Sequence, residues 1–131
     1  MFYKNKSFLF GKSNSERLII KENKKKAKLL IFYAKKLIDK AIFVKIKKSK
    51  DLGEQIHLLE YSLKVALEKK IYLFRQKIKL FKSKGIDVFF ISIKVNLLNL
   101  KIKYFNVTHN KRDFKIVMKL IEEVEKEIKN V

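Results

Sequence analysis

The sequence predicts an all-α protein, an antiparallel four-helix bundle with a short N-terminal arm or hairpin. The first reason is the spacing of apolar residues over 51–81, where Ile, Leu and Phe recur every three or four positions and so line one side of a helix. The second is composition: the 131 residues include no proline and only 3 glycines, too few for the turns of a many-stranded β fold. A hydrophobic content of 47% is enough to fill a core.

Residues 1–21 are predicted to form the arm or hairpin. Two short apolar runs, at 8–10 and 18–20, flank the turn-forming residues 11–15, as two strands flank a turn. Residues 11–13 (GKS) resemble the end of a phosphate-binding loop, but the upstream glycine and the preceding strand are missing, which excludes that motif. The bundle is expected to occupy residues 22–131.

The first helix of the bundle is predicted over 22–46. Its apolar residues form two adjacent lines, Leu30, Tyr33, Leu37 and Ala41 beside Ala34, Ile38 and Ile42. Lysines occupy the opposite side and the connection that follows: Lys24, Lys25, Lys28, Lys35, Lys36, Lys45, Lys47, Lys48 and Lys50. The lysines of the connection fit a solvated loop and a phosphate-contacting edge equally well.

The second and longest helix is predicted over 52–82. Asp51 is placed to cap its start, and Gly85 lies just past its end, where a left-handed residue commonly closes a helix. Its apolar stripe consists of Ile56, Leu59, Leu63, Leu67, Ile71, Phe74, Ile78 and Phe81. A helix of this length with one apolar stripe requires other helices to cover that stripe.

The third helix is predicted over 87–105, although its pattern also has features of a strand. Phe89, Ile91, Ile93, Val95 and Leu97 alternate as in a strand, whereas Phe90, Ile93, Leu97, Leu100 and Tyr104 follow helical spacing. The length of the segment and its lack of an internal turn residue favour a helix. Because apolar residues occur on more than one side, we expect burial against two neighbours, one of which can belong to another subunit.

The fourth helix is predicted over 111–130. Asn110, three residues before Asp113, is placed to cap it. The apolar stripe consists of Phe114, Val117, Ile121, Val124 and Ile128, and the exposed side mixes lysine with glutamate to near neutrality. The sequence therefore assigns the basic surface mainly to the first two helices.

The charge balance predicts a polyanionic partner. The formal net charge is +20, from 33 Lys and Arg against 13 Asp and Glu. An A- and T-rich genome would favour lysine over arginine but would not remove acidic residues, so contact with nucleic acid is the better interpretation. No exposed aromatic residue is expected among the lysines, which predicts phosphate binding with little base specificity.

The residues that catalysis needs are scarce. Cysteine is absent, and the 2 histidines, His57 and His109, occur in no metal-binding or catalytic spacing. We therefore expect no enzymatic activity, no metal and no cofactor. The sequence shows neither a signal peptide nor an apolar run of membrane-spanning length, so a cytoplasmic protein without a membrane partner is expected.

Several short motifs resemble one family of four-helix bundles. They are Leu29, Leu30, Tyr33, Leu37 and Ile38, then the lysine-rich link, Leu52 to Ile56 (LGEQI), Asp87, and Val107 with Thr108. Over residues 28–130, about four-fifths of the chain, this pattern is similar to the accessory variability determinant of diversity-generating retroelements and to the four-helix proteins encoded in ribosomal RNA intervening sequences.

The resemblance implies a non-catalytic homopentamer that binds a reverse transcriptase and its template RNA or the RNA–DNA hybrid. It would also place a nucleic-acid contact in the third helix, where Lys94 stands for the family's arginines and keeps the charge without the bidentate fork. The end of the fourth helix, residues 123–128, lacks the family's glycine and tryptophan. The alternatives are a ribosome-associated or general RNA-binding bundle without a polymerase partner, and a toxin-like nucleic-acid-processing enzyme.

Overall fold

The computed structural model describes residues 14–131, and these residues are helical with no strand. Five helices follow one another: α1 (Asn14–Leu37), α2 (Lys40–Lys47), α3 (Leu52–Ser83), α4 (Phe89–Thr108) and α5 (Lys111–Lys129). The chain divides into two compact units whose boundary lies within α3, between Glu60 and Tyr61. The all-α prediction is confirmed. In the described part of the chain, none of the helices combines the length and apolarity that crossing a membrane requires.

The N-terminal hairpin prediction was wrong for the residues that the structure describes. The second apolar run, residues 18–20, lies inside α1, which begins at Asn14. Glu16 lies in the first turn, where an acidic residue complements the positive end of the helix dipole. The first apolar run, at 8–10, lies outside the described residues.

The single helix predicted over 22–46 is interrupted after Leu37. Asp39 has an extended backbone (φ −53°, ψ 137°), and its Oδ1 accepts a hydrogen bond from the Ala41 N–H at 2.9 Å, which caps α2. A short carboxylate competes with the helical backbone for such hydrogen bonds and so favours a helix end over a helix interior. Consequently Ala41 and Ile42 are exposed instead of continuing the buried line, and Ile46 is the buried residue of α2.

The long helix α3 agrees with its prediction at both ends. Asp51 Oδ1 accepts a hydrogen bond from the Gly53 N–H at 3.0 Å, and Gly85 is left-handed with φ 76°. Six residues of the predicted stripe are buried and the last two, Ile78 and Phe81, are half-buried. The buried six are Ile56, Leu59, Leu63, Leu67, Ile71 and Phe74.

In the unit that ends at Glu60, most of the buried apolar residues lie on α1. The buried residues of α1 share one side of the helix, and α2 and the first turns of α3 add three more. They are Ala27, Leu30, Tyr33, Ala34, Ile46, Ile56 and Leu59. Lys26 of α1 also forms a salt bridge with Glu60 of α3, with Nζ and Oε2 3.1 Å apart.

In the unit of residues 61–131, α4 and α5 pack as an antiparallel helical hairpin. Phe105 contacts Phe114 beside the turn, with ring centroids 5.6 Å apart, whereas Lys94 contacts Glu127 near the other end. The turn is closed by His109 in the left-handed conformation (φ 52°), and Asn110 Oδ1 accepts from the Asp113 N–H at 2.8 Å, as the capping prediction required. Arg75 of α3 reaches Asn96 of α4 at 3.5 Å.

The apolar residues of α4 form two stripes with different surroundings. The inner stripe is buried and consists of Ile91, Val95, Leu98, Ile102 and Phe105. The other, which we call the outer stripe, is exposed and consists of Phe89, Phe90, Ile93, Leu97, Leu100, Tyr104 and Val107. The helical spacing predicted for α4 therefore belongs to the exposed side, and the buried residues of α4 lie on its other face.

Candidate nucleic-acid interface

A line of cations follows the exposed side of α1. Its members are spaced by three, four or seven residues and are all exposed: Arg17, Lys21, Lys24, Lys28 and Lys35. From the first to the last the line spans about 27 Å of helix. Both acidic residues of α1, Glu16 and Glu22, lie off this line. We call these five residues the α1 basic line.

The buried side of α1 fixes where the α1 basic line points. Leu30, Tyr33 and Ala34 are completely buried, and Ala27 is nearly so. Because side chains on opposite sides of a helix point in opposite directions, packing of this stripe turns the lysines toward solvent. Lys25 and Lys36, two further predicted contacts, are exposed beside the line.

One exposed aromatic residue lies among these lysines, contrary to the sequence prediction. Phe32 is 45% exposed, and the Nζ atom of Lys36 lies 4.8 Å from the centre of its ring. Its ring lies edge to face with that of the buried Tyr33, with centroids 6.0 Å apart. An aromatic ring beside cations offers a stacking surface for an unpaired base. The sequence pattern alone did not distinguish Phe32 from a core residue.

The predicted lysines of the connection lie on α2 and just after it. Lys45, Lys47, Lys48 and Lys50 are all exposed. The Nζ atom of Lys47 lies 5.7 Å from the ring centre of Phe43. Asp39 caps the start of α2, and Asp51 caps the start of α3. The segment that carries these lysines therefore lies between two capped helix starts. The structure thus places them on and beside an ordered helix, rather than in one long loop.

Lys94 differs from the other predicted contacts. Its Nζ atom lies 3.2 Å from Glu127 Oε1 and 3.8 Å from Glu123 Oε1, and its side chain is only 34% exposed. Two carboxylates therefore already offset its charge, and a phosphate would have to compete with them. The role that the resemblance implies for Lys94 has weak support from this geometry.

A second basic region occupies the end of α3. Residues 69–84 contain seven Lys and Arg residues and no Asp or Glu. Lys70 is paired with Glu125 at 3.1 Å, and Arg75 donates to Asn96, whereas Lys77, Lys79, Lys82 and Lys84 are exposed. This region shows that the basic surface is not confined to α1 and α2.

The two histidines have different settings. His57 is exposed on α3, and His109 closes α4 with its ring against Phe105, 5.5 Å between centroids. The left-handed backbone of His109 and its ring contact give that residue a role in the α4–α5 turn. Among residues 14–131, no group of three or more His, Cys, Asp or Glu side chains is placed to hold a metal ion.

The sequence prediction missed two members of the α1 basic line. Arg17 and Lys21 were assigned to the arm, but in the structure they extend the line by about two turns of α1. The spacing from Arg17 through Lys21 and Lys24 to Lys28 is the signal that would have found them, because steps of four and three residues keep to one helix face.

Comparisons with protein-family models, with curated proteins and with solved structures each found no match to this chain. The resemblance to the retroelement accessory family therefore stays a prediction. The geometry of the charged surface carries the functional conclusion instead.

Proposed function

We propose that this protein binds nucleic acid, with single-stranded RNA as the preferred form, through the exposed side of α1 and without catalysing a reaction. The observation that carries the proposal is the α1 basic line, five exposed cations with no acidic residue among them. A phosphate backbone offers regularly spaced negative charges, and binding releases its condensed counterions. Phe32 beside the line supplies the aromatic surface that favours unpaired bases.

The proposal is tested by removing charge from the α1 basic line. In the variant Lys24→Gln, Lys28→Gln, Lys35→Gln, affinity for a labelled single-stranded RNA should fall, and the slope of log affinity against log salt should flatten by about 0.7 for each lost phosphate contact. Fluorescence anisotropy at several salt concentrations measures both. The glutamine side chain keeps the helix, which circular dichroism checks.

The matched control is Lys111→Gln, Lys115→Gln, Lys119→Gln on α5, which removes the same net charge from exposed positions. Long-range attraction by net charge would lower the affinity of both triple variants equally. A selective effect of the α1 variant supports the proposal. Equal losses, or no loss in the α1 variant, would contradict it.

A narrower form of the proposal rests on the resemblance. In it, α1, α3, α4 and α5 are the four long helices of an antiparallel bundle, five subunits form a ring, and the RNA is the template of a reverse transcriptase. Charge reversal at Lys35, Lys36, Lys47 and Lys48 should then abolish template-dependent cDNA synthesis by the polymerase. Unchanged synthesis would favour the alternative, a ribosome-associated or general RNA-binding protein without a polymerase partner.

A further inference from the structure

The C-terminal half of α3 presents an aromatic ring among cations on its solvent side. Tyr72 is 61% exposed, which is more than Phe32 on α1. Four exposed polar or basic residues lie three, four or seven positions from it and so share its side of the helix: Lys69, Arg75, Gln76 and Lys79. We call these five residues the Tyr72 surface. From its first to its last residue it spans about 15 Å of helix.

The buried side of α3 fixes the direction of the Tyr72 surface. Leu67, Ile71 and Phe74 are buried on the other side of the helix. Packing of that side therefore turns the tyrosine and the neighbouring cations toward solvent. The Tyr72 surface lies in the compact unit that begins at Tyr61, whereas the α1 basic line lies in the other unit.

The cations of the Tyr72 surface keep their charge. Arg75 donates to Asn96, which is a neutral amide, and residues 69–84 contain no Asp or Glu. Lys70, whose charge is offset by Glu125 at 3.1 Å, points away from this side of the helix. Glu68, one turn before the tyrosine, is the nearest acidic residue along α3 and marks the end of the surface.

We propose that the Tyr72 surface is a second contact for single-stranded nucleic acid, so that one chain holds two nucleic-acid segments at once. A base stacks on the tyrosine ring, while the three cations contact the phosphates beside that base. The amide of Gln76 offers both a donor and an acceptor to a base edge. This contact does not depend on α1, and only the binding of two segments rests on the proposed function.

The order of side chains around α3 favours nucleic acid over a membrane surface. A helix that lies on a bilayer presents a continuous apolar face. On α3, Lys69 and Gln76 lie between Tyr72 and the other exposed apolar residues of this half, Leu73 and Leu80. Polar groups therefore interrupt the apolar ones, as on surfaces where bases stack among cations.

The first test counts the RNA molecules that each full chain binds. The probe is a labelled single-stranded RNA of about ten nucleotides, the size of one contact. At about 0.15 M salt, titration of the wild-type protein should give two RNA molecules per chain. The variant Lys69→Gln, Tyr72→Ala, Lys79→Gln should give one, and circular dichroism should show that its helices are intact.

The matched control removes a tyrosine and two lysines from exposed positions elsewhere. It is Tyr61→Ala, Lys115→Gln, Lys119→Gln, and it should still bind two RNA molecules. An equal loss in this control would show an effect of net charge alone and overturn the proposal. Unchanged binding in the variant of the Tyr72 surface would also overturn it.

The same titration separates this inference from the proposed function. The triple variant of the α1 basic line should bind one RNA molecule, and its combination with the variant of the Tyr72 surface should bind none at this salt. If only the α1 variant lost binding, the Tyr72 surface would be wrong and the proposed function would stand. If only the variant of the Tyr72 surface lost binding, the α1 contact would be wrong and the contact on α3 would stand.

The second test isolates the ring of Tyr72. In the triple variant of the α1 basic line, Tyr72→Ala should lower the affinity for single-stranded RNA roughly 5- to 150-fold, because the stacking of one base is lost. Tyr72→Phe, which keeps the ring, should retain the affinity, and neither change should affect duplex RNA. Equal losses for both RNA forms would overturn the proposal. Loss of binding to phosphatidylserine vesicles in Tyr72→Ala, with RNA binding kept, would assign the surface to a membrane and also overturn it.

Discussion

The exposed faces of α1 and α4 differ in chemistry although both helices bury one apolar stripe. The exposed side of α1 presents Arg17, Lys21, Lys24, Lys28 and Lys35, whereas that of α4 presents the outer stripe. The free energy of the cations falls when they approach a polyanion, and that of the apolar side chains falls when they leave water. The two faces therefore differ in what they offer a partner: the α1 face offers positive charge, and the α4 face offers apolar area. The net charge of +20 alone does not separate these two surfaces.

The largest expected effect concerns the two stripes of α4. Leu98, in the inner stripe, is completely buried, while its neighbour Leu97, in the outer stripe, is 42% exposed. Leu98→Ala should lower the free energy of unfolding by about 2–5 kcal/mol, because it removes packed methyl groups and leaves a cavity. Leu97→Ala should lower it by less than about 1 kcal/mol.

Urea denaturation at submicromolar protein concentration measures both values. The two variants remove the same atoms from adjacent positions, so each is the control for the other. Similar losses of unfolding free energy in the two variants would mean that the two stripes do not differ in burial. That result would contradict the distinction between the two faces of α4.

A smaller effect is expected from the aromatic residue of α1. Phe32→Ala should weaken binding of single-stranded RNA by about 1–3 kcal/mol, because it removes a ring on which a base stacks. The affinity for duplex RNA should fall much less, since the bases of a duplex are already paired and stacked. Anisotropy titrations with both RNA forms measure the difference. Tyr61→Ala, at an exposed aromatic residue of α3, is the control and should change neither affinity.

The smallest effect is expected at the turn that joins α4 to α5. Asn110→Ala should lower the free energy of unfolding by about 1 kcal/mol, because the Asp113 N–H loses its acceptor. Asn110→Asp should keep most of the stability, since a carboxylate also accepts this hydrogen bond. Neither substitution should change RNA affinity, because α1 lies in the other compact unit. A comparable loss of RNA affinity in Asn110→Ala would place part of the nucleic-acid contact near this turn.

Local signals explain most of the agreement between the sequence predictions and the structure. Asp51, Gly85 and Asn110 were identified as helix ends because each acts on backbone groups within three residues. Asp39 was not identified as a helix end, although it caps α2 in the same manner as Asp51 caps α3. The apolar line on either side of Asp39 continues at helical spacing, and that periodicity outweighed a single capping residue.

The surroundings of α4 depend on the rest of the fold and so could not be predicted from its own pattern. Both of its stripes have helical spacing and similar residue types, and packing against the rest of the fold, including Phe114 of α5, distinguishes the buried one. The same holds for Lys94, whose partners Glu123 and Glu127 lie about 30 residues away in the sequence. The exposed lysines were predictable because a strongly basic helix face rarely packs in a core.

Binding through α1, rather than through basic residues in general, is tested most directly by lysine footprinting. The full chain would be acetylated briefly with and without single-stranded RNA, and mass spectrometry would give the rate at each lysine. We expect RNA to slow acetylation of Lys24, Lys28 and Lys35 strongly, and to leave Lys111, Lys115 and Lys119 on α5 unchanged. Uniform slowing at all six lysines, or stronger slowing on α5, would contradict the assignment of the interface to α1.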